Sequence, residues 1–208
     1  MIFHQLLKLF ETVHDRNLIH RDVKPANFLM GLGDKSGVVH MVDYGLVNKY
    51  RSNTTGEHIA FRKNKCLIGT AQYASINAHK GIELTRRDDL QALGYLILYL
   101  YRGTLPWKGA TRNKNSDYFK RVLHVKETMS PNELCVDCPQ EFSVYFSYVQ
   151  GMTFAQDPDF KFLKVLIENV ASREKINLFD NCFDWNIKLA TAEGKEIPRC
   201  STPRSINP

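Results

Sequence analysis

The sequence predicts an α+β fold that is mostly helical, with one small β-hairpin near its N-terminal end. Two observations predict it. Apolar residues recur at helical spacing in several separate segments, from Phe3 to Ile167. Between the first of these and the rest lie two short strand-like runs, Phe28-Leu29-Met30 and Val38 to Val42, divided by the turn Gly31 to Gly37 with its three glycines.

The elements follow in order. Phe3, Leu6, Leu7, Phe10 and Val13 give residues 2–15 the pattern of an amphipathic helix, with Asn17 as a stop. The hairpin comes next. Residues 46–70 are polar and without periodicity, a length of loop that is usually either functional or disordered. Residues 88–101 are almost wholly apolar, which predicts a buried core helix whose positive end Asp88 or Asp89 would cap, ending by Gly103 and Pro106-Trp107. Three further helices are expected at 113–128, at Pro139 to Met152 (inward Phe142, Tyr145, Phe146 and Val149), and at 158–170 (inward Phe162, Leu163, Leu166 and Ile167). Periodicity is lost after Trp185, so residues 187–208 are expected to be a flexible tail beyond a domain at 1–186.

Composition narrows the function classes. The chain has 208 residues, 43% of them hydrophobic, which suits one well-buried domain. The net charge of +6 comes from dispersed Lys and Arg, which favours anionic ligands such as a nucleotide over a nucleic-acid footprint. Five cysteines, an odd number in a chain this size, point to a reducing compartment, and Cys135-Val136-Asp137-Cys138 lacks the second pair a structural zinc needs. Met1 to Phe10 has no basic n-region or small-residue cleavage site, and Leu93 to Tyr101 is far short of the roughly 20 residues of a membrane span. An intracellular protein, cytoplasmic or nuclear, is expected, without nucleic-acid or membrane partners.

The chemistry concentrates in His20-Arg21-Asp22-Val23-Lys24-Pro25-Ala26-Asn27. An Asp, a Lys two residues on and an Asn five residues on suit phosphoryl transfer. The Asp can accept a proton from a hydroxyl, the Lys can hold a phosphoryl group, and the Asn amide oxygen can ligate Mg²⁺. Val42-Asp43-Tyr44-Gly45 places a second acidic residue at the far end of the hairpin, where Asp43 and Asn27 would share a metal. Thr70, in Gly69-Thr70-Ala71-Gln72-Tyr73-Ala74-Ser75, has a hydroxyl that can bridge Asp22 and Lys24, or is a simple turn threonine; spacing does not separate the two.

These motifs match the protein kinase pattern H-R-D-x-x-x-x-N followed by an Asp-x-Gly. More narrowly, the chain resembles the casein kinase I group of Ser/Thr kinases, near the tau-tubulin and vaccinia-related kinases. The residues that carry this are Asn27 to Gly31, Gly69 to Asn77 with Ser75-Ile76-Asn77 where most kinases have Ala-Pro-Glu, Arg86 to Leu90, Leu105-Pro106-Trp107 and Phe183-Asp184-Trp185-Asn186. The resemblance implies a kinase-like C-terminal lobe, ATP and Mg²⁺ as cofactors, and protein substrates with Ser or Thr hydroxyls. It implies Asp22 as catalytic base, Lys24 on the γ-phosphate, Asn27 and Asp43 on the metal, Thr70 as a brace, and Asp89, heading Asp-x-x-x-x-Gly with Gly94, as support for the His-Arg-Asp backbone.

Departures from the family set further expectations. The glycine-rich loop, strand lysine and helix glutamate of a complete kinase lie upstream of where Met1 falls, and no Gly-x-Gly-x-x-Gly occurs in the sequence. The N-terminal lobe is therefore expected to be absent, standalone turnover to be weak or nil, and Leu29 and Met41 to be left uncovered, open to a partner. Tyr44 replaces the usual Phe. Gln72 stands where the group usually has an anion-binding Arg, and Tyr118 lies near the place of a partner Lys, which weakens the case for phospho-primed substrates. Against the kinase reading stands a catalytically impaired lobe acting as a protein-binding module.

Overall fold

The structure, a computed structural model, describes residues 1–108, 116–180 and 182–192. Helix α1 (Ile2–Asp15) leads into a two-residue strand β1 (Leu18–Ile19). A 3₁₀ turn at Pro25–Asn27 precedes β2 (Phe28–Met30), and β3 (Val39–Met41) and β4 (Asn48–Lys49) follow. The remainder is helical: α2 (Ile76–His79), α3 (Arg86–Arg102), α4 (Ser116–Thr128), α5 (Pro131–Leu134), α6 (Gln140–Gly151), α7 (Phe160–Arg173) and α8 (Asp184–Ala192). None of the described helices is long and apolar enough to cross a membrane.

Two antiparallel pairs position the site. In the expected hairpin, β2 pairs β3 with Phe28 opposite Met41. The second pair, β1 with β4, sets Ile19 opposite Asn48 and draws the start of the long polar segment onto the loop ahead of Asp22. That segment is anchored rather than free. Tyr50 is buried, donates its hydroxyl to His14 O at 2.8 Å, and lies under the Arg86 guanidinium, 4.2 Å from its ring centre.

α3 is the core axis. Tyr95 and Leu93 on it, Trp107 just past it, and Tyr145 and Phe146 on α6 are all fully buried. Gly94 explains the close approach of the two helices: a Cβ there would sit 2.7 Å from Phe146 Cζ. The last turn departs from the all-buried expectation, since Leu100 and Tyr101 are exposed. The inward faces foreseen for α6 and α7 are buried, with Phe162 half-buried at the edge.

Two further expectations change. Met41 is buried against the hydrophobic core, because the β3 alternation turns it and Val39 inward; only Leu29 of the expected pair is uncovered. Helix α8 runs on to Ala192, through the first residues of the expected tail, with Ile187 buried on one face. One exposed turn of weak amphipathicity is too short to show as periodicity. Residues 193–208, and the 113–115 start foreseen for the fourth helix, lie outside the described residues.

Candidate active site

The loop from His20 to Asn27 is shaped from beneath by one carboxylate. Asp89, on the first turn of α3, accepts from His20 N at 2.7 Å, from Arg21 N at 2.8 Å and makes a 3.1 Å contact with His14 Nε2. Asp88 takes the capping role foreseen for either residue. Its Oδ2 accepts from Thr85 N at 2.8 Å, and its Oδ1 from Ser75 Oγ and Asn77 Nδ2, so it also ties Ser75-Ile76-Asn77 to α3. Burial pushes the Asp88 carboxyl up, against the hydrogen bonds that favour its ionised form.

With its amide held by Asp89, Arg21 adopts a left-handed φ of 68°. Gly69 crosses directly over it. A Cβ at Gly69 would meet Arg21 O at 2.4 Å, and the φ of +87° there is one L-residues rarely adopt. This crossing brings Thr70 to the loop.

Asp22 is the hub. Lys24 Nζ donates to its Oδ2 at 2.5 Å, Thr70 Oγ1 to its Oδ1 at 2.9 Å, and Asn27 Nδ2 to its main-chain O at 2.8 Å and its Oδ2 at 3.3 Å. The link between Thr70 and Lys24 thus runs through the Asp22 carboxylate, each holding one oxygen. Burial works to raise the Asp22 pKa. The hydrogen bonds from Lys24 and Thr70, the Lys24 charge and the Asn27 bond outweigh it, and the net direction is down. Asp22 is therefore ionised at neutral pH.

Asn27 and Asp43 come together through the hairpin. Val42 N donates to Asn27 O at 2.9 Å, one step beyond the Phe28–Met41 pair, so Asp43 follows at the same end of the ladder. The Asn27 amide must point its NH₂ at Asp22, since both partners there are acceptors; its side-chain oxygen is left to ligate. Asp43 is exposed, with a φ of 61°, and its Oδ1 accepts from Gly45 N at 3.2 Å. One carboxylate and one amide oxygen, with room for water and phosphate oxygens, are a donor set that suits Mg²⁺. Among the described residues no group of three or more His, Cys, Asp or Glu stands together, which leaves no softer all-protein metal cage there. Cys135 and Cys138 are free thiols, and burial pushes Cys135 up to about 12, the reverse of an activated nucleophile.

The fold brings all five site residues foreseen from sequence to one edge of the molecule: Asp22, Lys24, Asn27 and Thr70 in direct contact, Asp43 adjacent. Sequence reasoning missed His14 and Lys126, and gave no task to the side chains of His20 and Trp107 within the motifs it named. His20 is fully buried against Phe10 and Phe28. Trp107 and Lys126 bind main-chain carbonyls of the segment after Thr70. The overlooked signal for Lys126 is its place one turn after Val122, on the buried face of α4.

Leu29 (52% exposed) and Tyr44 (57% exposed) border the same edge. A family model described as protein kinase domain matches residues 1–189.

Proposed function

The chain belongs to the protein kinase family, and we propose that within it the chain is the C-terminal lobe of a Ser/Thr kinase of the casein kinase I type. Family membership implies ATP and Mg²⁺ and protein substrates in general; the narrower assignment rests on Ser75-Ile76-Asn77 and Phe183-Asp184-Trp185-Asn186. The observation that carries the catalytic reading is the Asp22 carboxylate, held on one oxygen by Thr70 and on the other by Lys24 and Asn27.

In this reading Asp22 receives and orients the substrate hydroxyl. Its lowered pKa makes it a weak base, so it accepts the hydroxyl proton late, as the new O–P bond forms and the bond from the γ-phosphorus to the departing ADP oxygen breaks, and positioning outweighs basicity. Lys24, part-exposed beside it, turns from Asp22 to the phosphoryl oxygens. Asn27 Oδ1 and the Asp43 carboxylate would hold Mg²⁺, which would supply charge neutralisation on the phosphates. Thr70 keeps Asp22 in register as Lys24 leaves it. Gln72 brings no positive charge where the group usually has Arg, so phosphate-primed substrates gain nothing there.

A second reading draws on the uncovered Leu29 and Tyr44: a lobe that binds a protein segment across this edge. One experiment separates the two. Thermal melting is measured with and without Mg²⁺-ATP, and phosphate transfer to casein is assayed for the protein and for Asp22→Asn. The kinase reading expects a nucleotide-dependent rise in melting temperature, and transfer that Asp22→Asn lowers about 100-fold or more. A folded sample with neither shift nor transfer refutes turnover by this chain on its own.

A further inference from the structure

Residues 70–74 run from the Thr70–Asp22 bond to Ser75, the N-cap of α2, and their carbonyls turn into the lobe. Trp107 Nε1 donates to Gln72 O at 2.8 Å. Lys126 Nζ donates to Ala71 O at 2.9 Å and to Ala74 O at 2.7 Å, and lies 3.3 Å from His79 Nε2. The lysine is only 3% exposed, with its ammonium over the ring faces of Tyr95 (4.7 Å) and Trp107 (4.8 Å).

Burial drives the Lys126 pKa well below the ordinary lysine value, a cost that pairing of its N–H groups offsets. Here there are three partners and two aromatic faces. His79 completes the set because it stays neutral: burial first, then the Lys126 charge, lower its pKa to about 4. Its Nε2 stands 3.3 Å from Lys126 Nζ and 3.0 Å from Ala71 O, so the ring and the lysine meet at the same carbonyl. A lysine so fully enclosed does nothing for solubility, and its three bonds fall on the strip of chain bordering Asp22 and on His79 of α2, which follows that strip.

We propose that Lys126 is a positioning residue for phosphoryl transfer. Resting on the kinase reading, the inference is that Lys126 holds Ala71 and Ala74 from below, and so fixes the strip along which a polypeptide substrate brings its hydroxyl to Asp22. Besides Lys126, the strip is tied by Trp107 at Gln72 O, by the His79 ring 3.0 Å from Ala71 O, and by Tyr73 N and Ala74 N, which share Thr70 O; Ala74 O has no other donor among these. With Lys126 gone, Ala74 O loses its donor, Ala71 O keeps only the His79 ring, and the strip can shift, carrying Thr70 with it.

The test uses Lys126→Met, which keeps the chain length and apolar stem beneath Trp107, and His79→Leu as a milder second variant. Two measurements are made: amide hydrogen exchange across the chain, and steady-state transfer to a Ser/Thr protein substrate with KM determined separately for that substrate and for Mg²⁺-ATP. Lys126→Met is expected to speed exchange at Tyr73 and Ala74 while α1, α6 and α7 stay protected. It is expected to lower kcat/KM for the protein substrate about tenfold or more, as displacement of a positioning group does, with the KM for Mg²⁺-ATP unchanged. His79→Leu gives a smaller loss of the same kind. Unchanged local exchange overturns the inference, as does a kcat/KM within twofold of wild type, or a loss that falls equally on both substrates. Absence of transfer by the wild-type protein instead refutes turnover by this chain on its own, and exchange at Tyr73 and Ala74 then decides alone whether Lys126 holds the strip.

Discussion

Asp89→Asn separates two roles that a carboxylate on the first turn of a helix can have. As a partner of the helix dipole, Asp89 would contribute about 0.3–1 kcal/mol, and an isosteric amide would cost no more than that. The structure gives it a different task. Oδ2 takes His20 N at 2.7 Å and His14 Nε2 at 3.1 Å, and Oδ1 takes Arg21 N at 2.8 Å, in a site where Asp89 is 2% exposed. An Asn can offer its one oxygen to Arg21 N or to His20 N, and its NH₂ then faces the other N–H. A buried donor left unpaired costs about 1–3 kcal/mol, and the retained bond loses its charge assistance, worth about another 1 kcal/mol. With the weakened His14 contact, the expected loss is about 3–5 kcal/mol, a large share of the roughly 5–15 kcal/mol that holds a domain together. The assay is urea unfolding followed by fluorescence of the buried Trp107, with melting as a check. For a chain of this size the loss corresponds to a fall of about 6–20 °C. Arg21 also loses the bond that holds its left-handed φ of 68°, so the strip at Gly69 shifts as well. A loss under about 1 kcal/mol would refute the claim that Asp89 shapes the loop.

Gly69→Ala puts a methyl 2.4 Å from Arg21 O on a backbone of φ +87°, so a loss of about 1–3 kcal/mol is expected from strain alone; an unchanged melting temperature would show that the crossing of the two segments is not tight. His79 gives a pH dependence of known sign. Its folded pKa, lowered to about 4 from 6.5 by burial and by Lys126, means the unfolded chain binds the proton more readily between those values. Its contribution is therefore full above about 6.5 and is lost as pH falls toward 4; the urea midpoint of His79→Leu should fall less steeply across that window than that of wild type. Equal slopes would place the acid sensitivity elsewhere.

The comparison of chain and fold follows the range of the interactions involved. Local periodicity was enough for α1, α3, α6 and α7, because each buries a continuous apolar face that recurs every three to four residues. It was also enough for the β2–β3 hairpin, whose two runs are joined by a short glycine-rich turn. It failed for α8, too short and too exposed to leave a pattern, and for β4, two polar residues that form a strand only because β1 is there to pair with. The exposed end of α3 was unreadable for a related reason: Leu100 and Tyr101 have no neighbour to bury them, and sequence records hydrophobicity, not neighbours.

At the site, the residue types and their order in the chain were determined by sequence alone: Asp22, Lys24 and Asn27 within one short loop, Asp43 beyond a hairpin, Thr70 and Asp89 further on. Chemistry restricts which side chains can move a proton, hold a phosphate or bind Mg²⁺, so identity and spacing suffice for that much. The tertiary structure decided how they are held. Thr70 reaches Asp22 across 48 positions and Asp89 reaches Arg21 across 68, contacts that exist only because α3 and the Gly69 crossing are packed against the loop. Lys126 is the clearest case. Written in the chain it is one cation among 28 Lys and Arg; folded, it is buried under two aromatic rings and bonded to Ala71 O and Ala74 O of the strip beside Asp22, with His79 of α2 as its third neighbour. Burial is a property of surroundings assembled from distant parts of the sequence, and it is burial that turns an ordinary charge into a fixed point of the site.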